Sequence, residues 1–374
     1  MKVKQIKIKN SLNEADIKLD FTPNLILMFV SPIFKFKREL LDLLLERFPD
    51  AHILGCSTAG EISDIEVSDD SISLTAIAFE KTTLHSTCTH FNSMTNSKET
   101  GEKLINLLPK KGLRHVLVLS DGLNVNGADL VAGMVNALPE GVSITGGLAG
   151  DGPNFKKTFV VSNRGISDYK LAAVGFYGED LKIGFGSQGG WDSFGLERAV
   201  TKSEANILYE LDGKPALELY KSFLGVAAAN LPSSGLLFPL RVREGKDIEP
   251  VVRTILAINE EDQSLTFAGN IPQGSYVRLM KANIDRLING AEESAEISST
   301  ILKQDASLSI LISCVGRRLV LKQLVEEEVE VVKDVLGDNT VITGFYSYGE
   351  IAPFGEFSSS QLHNQTMTIT SFSE

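Results

Sequence analysis

Gly55-Cys56-Ser57-Thr58-Ala59-Gly60-Glu61-Ile62 and Gly344-Phe345-Tyr346-Ser347-Tyr348-Gly349-Glu350-Ile351 spell one pattern, G-x-x-x-x-G-E-I, near opposite ends of a 374-residue chain. The surroundings repeat as well. An apolar run (26–30, or 309–312) leads to a charged helical stretch, then to a short apolar segment that enters the first glycine. After each copy comes a β-like run ending in phenylalanine, 71–79 in the first and 366–372 in the second. Self-similarity on this scale predicts a duplicated unit: strand, helix, strand, glycine loop, strand. The expected fold class is therefore mixed α/β, with two related halves built on mixed sheets. Ligands in such units gather at strand ends, where glycine lets the backbone come close.

A weaker third copy lies between the two. Residues 116–120 read as a strand, 129–138 as a helix with Leu130, Val131, Met134, Val135 and Leu138 on one face, and 142–145 as the next strand. Its loop is Gly146-Gly147-Leu148-Ala149-Gly150-Asp151, with Gly-Asp in place of Gly-Glu. Three glycine loops thus each close on a carboxylate: Glu61, Asp151 and Glu350.

The composition, 43% hydrophobic and 22% charged, is that of an ordinary globular protein. The net charge of -12 comes without a long basic stripe, so a nucleic-acid backbone is a poor partner. No apolar run is long enough to span a bilayer, and the opening Met-Lys-Val-Lys-Gln-Ile-Lys-Ile-Lys alternates like a strand rather than a signal peptide. The three cysteines, Cys56, Cys88 and Cys314, are odd in number and far apart, which fits a reducing cytoplasm. The five histidines form no close ligand motif, so no metal site is expected.

Amphipathic helices are expected at 36–48, 97–108, 215–224 and 284–297, and a hairpin from 251–258 and 264–268. The texture changes after the glycine-rich stretch 184–191, and the Pro/Ser/Gly-rich stretch 231–235 reads as a linker, so a domain boundary is placed near residue 220, giving regions 1–220 and 221–374. Gly184-Phe185-Gly186-Ser187-Gln188-Gly189 matches G-x-G-x-x-G in form only. No helix start follows it, so it is not a dinucleotide site.

Converging N–H groups in the glycine loops suit an anion, and a carboxylate after the last glycine suits an ammonium or hydroxyl. The competing reading is a tight turn closed by its own cap. Candidate ligand contacts are Cys56, Ser57, Thr58, Gly60 and Glu61 in the first loop, Gly147, Gly150 and Asp151 in the third, and Tyr346, Ser347, Tyr348 and Glu350 in the last. Tyr346 and Tyr348 are pocket walls or core. At neighbouring strand ends, Asp121 and Asn124 offer short polar groups, while Asn126 reads as a helix cap. Arg317 suits a bidentate pair with a ligand carboxylate, or else with the acidic run 326–330. Cys56 at a strand end is a nucleophile candidate, or simply a small residue in a turn.

The motifs G-C-S-T-x-G-E-I (55–62), S-D-G-L-N-x-N-G (120–127), G-G-L-A-G-D-G (146–152), G-W (190–191), L-D-G-x-P-A (211–216), S-C-x-G-R (313–317) and G-F-Y-S-Y-G-E-I-A-P (344–353) occur in order. In this series the chain resembles the FIST proteins, with N-terminal and C-terminal FIST regions. The resemblance implies an intracellular sensory module for a small ligand, with amino acids or related metabolites as the proposed class. Relatives are often fused to histidine kinases, chemotaxis transducers or cyclic-di-nucleotide enzymes. No such output domain is expected within these residues, so the signal would pass to a separate partner. A subgroup resembling the family binds haem and senses nitric oxide, which makes His85, His90 and His363 axial-ligand candidates. The third reading is an enzyme using Cys56. The first expectation is a cytoplasmic sensor with no cofactor.

Overall fold

The computed structural model describes residues 1–9, 12, 17–245, 249–355 and 358–374. Its architecture is mixed α/β, as the repeat predicts, and the repeat is realised three times. The first unit contains β1 (Lys2–Lys9), β2 (Leu25–Val30), α1 (Lys37–Arg47), β3 (His52–Ser57), the short strands β4 (Glu61–Ser63) and β5 (Glu66–Ser68), and β6 (Ser71–Ala78). The second contains β7 (Thr83–His90), α2 (Ser97–Asn106), β8 (Leu113–Ser120), α3 (Gly127–Ala137), β9 (Ser143–Leu148), β10 (Val160–Ser162), β11 (Gly165–Ser167) and β12 (Lys170–Tyr177). The third opens with β13 (Lys182–Gln188). An insertion then interrupts it: β14 (Asp192–Glu204), β15 (Ile207–Leu211), β16 (Lys214–Pro215), α4 (Ala216–Leu224), β17 (Leu240–Arg243), β18 (Val251–Arg253), β19 (Ile255–Asn259), β20 (Ser264–Phe267) and β21 (Tyr276–Lys281). The unit resumes with α5 (Ile284–Leu302), β22 (Leu308–Cys314), α6 (Val315–Leu321), α7 (Glu327–Leu336), β23 (Val341–Ser347), β24 (Gly349–Pro353), β25 (Ser360–His363) and β26 (Met367–Ser373).

Each unit pairs its two central strands in parallel, β2 with β3, β8 with β9 and β22 with β23. Each lays its long final strand antiparallel beside the first of these. Each then gives its short hairpin away. The hairpin β4–β5 extends the sheet of the third unit, β10–β11 that of the first, and β24–β25 that of the second. The exchange is cyclic, so each unit is completed by another. It also pairs the two copies of the opening motif directly, with Ile62 opposite Gly344 and Glu61 opposite Phe345.

The inner faces of the three sheets share one apolar core. It takes Leu27, Phe29 and Cys56 from the first unit, Leu117, Leu119 and Phe176 from the second, and Ile310, Ile312, Phe345 and Phe372 from the third. Helices cover the outer faces: α1 seats Leu40, Leu41 and Leu44 on the first sheet, and α3 seats Leu130, Val131 and Met134 on the second. Near-continuous apolar runs in the central strands follow from burial on both faces. The recurring first glycine has a packing cause. A Cβ at Gly55, Gly146 or Gly344 would lie 2.1, 1.9 or 1.8 Å from a carbonyl oxygen of the parallel neighbour strand.

The inserted unit has its own core, from Leu208, Leu217 and Tyr220 to Phe267 and Leu279. Residue 220 lies within its helix α4. The expected hairpin forms from Ile255–Asn259 and Ser264–Phe267, so the run 251–258 is longer than its arm. It divides at Thr254, with Val251–Arg253 pairing β17 and Ile255–Asn259 pairing β20. The glycine-rich 184–189 segment forms β13, and a Cβ on Gly184 or Gly186 would lie 2.0 Å from a carbonyl oxygen of α5.

Candidate functional site: three glycine loops in a ring

The loops that follow β3, β9 and β23 meet one another at the same end of the shared core. Ala59 N–H donates to Tyr346 O and Tyr346 N–H to Gly60 O, both at 2.8 Å. Gly150 N–H donates to Ser57 O (3.0 Å), and Tyr348 N–H to Leu148 O (3.2 Å). Every pair of loops is therefore joined by backbone hydrogen bonds, so the structure brings together the three segments that the sequence marked. Much of the loop N–H capacity is spent on neighbouring loops, which leaves the side chains to set the chemistry.

Glu61 and Glu350 are equivalent by register: Glu61 stands opposite Phe345, and Glu350 opposite Gly147, at matching points of their host sheets. Both are buried. Glu61 accepts from the Thr58 hydroxyl on Oε1 and from Ser71 on Oε2, through its N–H (3.2 Å) and its hydroxyl (2.8 Å). Glu350 repeats this with Ser347 on Oε1 (2.6 Å) and Thr366 on Oε2, through its hydroxyl (3.0 Å) and its N–H (3.3 Å). Burial pushes the Glu61 carboxyl up to about 7 and the Glu350 carboxyl up to about 8, against these hydrogen bonds. Each group sits near the neutral point with its proton finely balanced.

Asp151 is not the third member of this set. Val160, opposite Cys56, holds the equivalent register position, because residues 152–159 intervene. The two hydroxyl positions are also lost, to Ala149 and to Lys170, whose Nζ donates to Gly165 O (2.7 Å). Asp151 instead caps its own loop through Lys156 N–H and Lys157 N–H, both at 2.9 Å, and accepts from the Tyr348 hydroxyl. Phe155 stacks on the Tyr348 ring at 4.3 Å.

The remaining candidates divide between ring and scaffold. Ser57 accepts from Phe159 N–H (3.0 Å), and a Cβ on Gly147 would lie 2.8 Å from Ile312. Asp121 is a turn cap, accepting from Leu123 N–H (2.8 Å), Asn124 N–H (2.9 Å) and Tyr169 N–H (2.8 Å), while the Asn124 amide bonds back to it at 3.3 Å. Asn126 caps α3 as its position predicts. Arg317 finds its carboxylate inside the chain. Its guanidinium is fully buried, donates twice to Glu328 (3.0 and 2.7 Å), and also reaches Leu287 O (2.6 Å) and Gly189 O. Tyr346 and Ser313 donate to the other oxygen of Glu328. This places Arg317 and Tyr346 in a closed structural network rather than in a pocket wall or a surface pair.

Arg318, next in the chain, is an arginine on the ring. It donates to Ala59 O (2.6 Å), lies 5.6 Å from the Tyr346 ring centre, and pairs with exposed Asp69 (2.8 Å). Only the three-dimensional path of α6 separates the two arginines; no sequence signal does. His363-Asn364 reads in the sequence as a pocket donor or simply a turn, and Gln365 beside it carries no mark. Among the described residues, Ser120 Oγ, Asn364 Oδ1 and Gln365 Oε1 are buried without a partner. Ser120 and Asn364 sit at the ring, for Ser120 O accepts from Ala149 N–H and Asn364 donates to Tyr348 O (3.5 Å), whereas the Gln365 amide turns to the inserted unit and donates to Leu236 O (3.0 Å) and Thr254 (3.1 Å).

Cys56 points into the shared core and is fully buried, and desolvation holds its thiol well above the ordinary range. That is the environment of an inert thiol rather than a nucleophile. Haem does not fit the histidines. Both ring nitrogens of buried His363 are engaged, by Ser187 (3.5 Å) and Ala352 O (2.8 Å). His85 and His90 are exposed on opposite faces of β7, His85 edge-on to Tyr177 and His90 bonded to Ser167.

The FIST N domain model matches residues 24–214, and the FIST C domain model matches residues 216–353. The chain belongs to the FIST family. FIST domains are sensory domains that bind small ligands. An uncharacterized protein of Methanocaldococcus jannaschii is 22% identical over 391 aligned positions, covering 92% of this FIST chain and 74% of the relative. Two solved structures titled as cyanuric acid hydrolase align over 99% of the chain, one of them from A. caulinodans. The first gives 9% identity, a TM-score of 0.34 and 98% of its own length; the second gives 7%, 0.32 and 99%. At those TM-scores the likeness carries no inference about chemistry. Among the described residues, no helix is long and apolar enough to cross a membrane.

Proposed function

We propose that this FIST chain is a sensor that takes an amino acid or related small metabolite at the ring of glycine loops and passes the signal to a separate protein, such as a kinase or a cyclic-di-nucleotide enzyme. The observation that carries this reading is the pair of register-equivalent buried carboxyls, Glu61 and Glu350, beside acceptors that lack donors. An ammonium group supplies the missing donors, and a buried acceptor left unpaired costs about 1–3 kcal/mol. The ligand carboxylate would face Arg318, the cation on the ring, since Arg317 is consumed by Glu328. No histidine geometry favours the haem reading, and no base beside Cys56 favours an enzyme.

The proton balance gives the site a signature. A cationic ligand requires ionised Glu350, whose carboxyl is raised to about 8. Binding at pH 7 therefore releases a proton, and affinity tightens as pH rises toward 8. Calorimetry in buffers of different ionisation enthalpy, with a panel of amino acids, measures both quantities. Glu350→Gln should weaken the best ligand by about 1.5–3 kcal/mol, the worth of a charged hydrogen bond. No binding by any panel member at millimolar concentration sinks the reading.

A further inference from the structure

On the inserted unit, strands β17, β21 and β14 turn one face to the core and the other to solvent. Leu240, Val242, Val277 and Leu279 are buried among the core residues. The alternation of side chains along a strand therefore sends Arg241, Arg243 and Arg278 to the opposite face. Arg241 and Arg278 are direct cross-strand partners. Like charges placed opposite each other destabilise a sheet.

Among the described residues, Glu197 is the carboxylate that answers the three arginines. Glu197 receives Arg243 at 2.7 and 3.1 Å and feels the charge of both Arg241 and Arg278. Arg243 lies 4.8 Å from the ring centre of half-exposed Tyr276, and Arg278 donates to Gly195 O (3.0 Å). Among the described residues, the Arg241 side chain has no hydrogen bond or ion pair. The nearby Glu244 acts on buried Arg253. Between Gly195 and Glu197, where the β14–β21 pairing is irregular, Leu196 stands 77% exposed. The face thus carries an excess of positive charge, a stacking aromatic and an exposed apolar side chain, on a chain whose net charge is -12.

We propose that this face of the inserted unit, centred on Arg241, Arg243 and Arg278, is a docking surface for an acidic segment of a partner protein. Charge complementarity selects the occupant. Paired guanidinium forks bind carboxylates in two-pronged fashion, and Tyr276 and Leu196 give the contact an apolar component. With a net charge of -12 the molecule repels an acidic partner at long range, and a locally basic face fixes where the partner lands. The surface supplies the output step of the sensory reading, but it does not depend on the ligand site and is tested without any small ligand.

The probe is fluorescein-labelled hexaglutamate, followed by anisotropy at low salt on the full chain. Saturable binding is expected, weakening steeply as salt rises past about 0.15 M. The Arg241→Ala/Arg278→Ala double variant should bind about tenfold more weakly. Its melting temperature should stay the same or rise, because the opposed charges are gone. Glu197→Gln should bind more tightly than the parent, since it removes the internal competitor. Absence of saturable binding, equal binding by the double variant, or weaker binding by Glu197→Gln each overturns the proposal. So does a labelled DNA duplex that binds more tightly than hexaglutamate, which would make the face a general polyanion site.

Discussion

The Glu61 and Glu350 sites look interchangeable within their own loops, yet their surroundings differ in kind. Around Glu350 the third unit builds a buried ion pair, Arg317 with Glu328, whose positive charge pulls the Glu350 carboxyl down, though by less than burial raises it. Around Glu61 the arginine is Arg318, which faces solvent with Asp69, a residue that itself pushes the Glu61 carboxyl up. In the second unit Val160 stands at the carboxyl position, and Ala149 and Lys170 at the two hydroxyl positions. A repeated fold therefore preserves the hydroxyl–carboxyl geometry twice and discards it once. What distinguishes the two survivors is how deeply their counter-charge is buried.

The sharpest way to break the comparison is to remove each arginine. Arg317→Met leaves Glu328 buried with hydroxyl partners only, and an uncompensated buried charge costs about 3–5 kcal/mol. Arg318→Met releases a pair whose Asp69 partner is exposed and one hydrogen bond to Ala59 O, together worth about 1–2 kcal/mol. Urea unfolding of the two variants measures the gap. Equal losses would mean that the two arginines are embedded alike.

The glycines before the two carboxylates give a smaller contrast. Gly60 has φ +134°, where an alanine is strained, so Gly60→Ala should lose about 1–3 kcal/mol. A Cβ at Gly349 meets only the ends of Leu148 and Leu362 at 2.9 and 3.0 Å, and both side chains can shift. Gly349→Ala should therefore lose less in the same unfolding assay. A larger loss at Gly349 would show that the two loops are held by different means.

Much of this was legible in the sequence. Glycine spacing marked all three loops because the close approach of parallel strands demands glycine at Gly55, Gly146 and Gly344. Helices and their faces followed from periodicity. The exchange of hairpins was not legible, since the partner of a three-residue strand is chosen by tertiary contact, and Glu61–Ser63 looks the same whichever sheet receives it. The same gap misplaced Asp151. It follows a glycine as Glu61 and Glu350 do, but register is set by pairing, and residues 152–159 move it out of line. Arg317 was legible as a residue that seeks a carboxylate. Whether that carboxylate lay in a ligand or in Glu328 depended on how α7 packs, which spacing does not encode.

The finest test separates the two carboxyls by their protons. Folding raises Glu61 from 4.5 to about 7 and Glu350 from 4.5 to about 8. Between 4.5 and those values the folded chain holds more protons than the unfolded chain, so stability falls as pH rises. The contribution is complete below 4.5 and is lost by about pH 7 for Glu61 and about pH 8 for Glu350. Glutamine fixes each group in its neutral form and removes its share of that slope. Its oxygen can accept from Ser71 or Thr366, while the Thr58 or Ser347 hydroxyl turns to accept from its amide. Urea unfolding at pH 5 and pH 9 then gives each variant's gain over the parent. The gain for Glu350→Gln should exceed that for Glu61→Gln by on the order of 1 kcal/mol. Equal gains would mean that the pull of Arg317 on Glu350 and the push of Asp69 on Glu61 cancel the deeper burial of Glu350. No gain in either variant would mean that both groups are ionised throughout, and the proton-linked binding expected at the ring would fail with them.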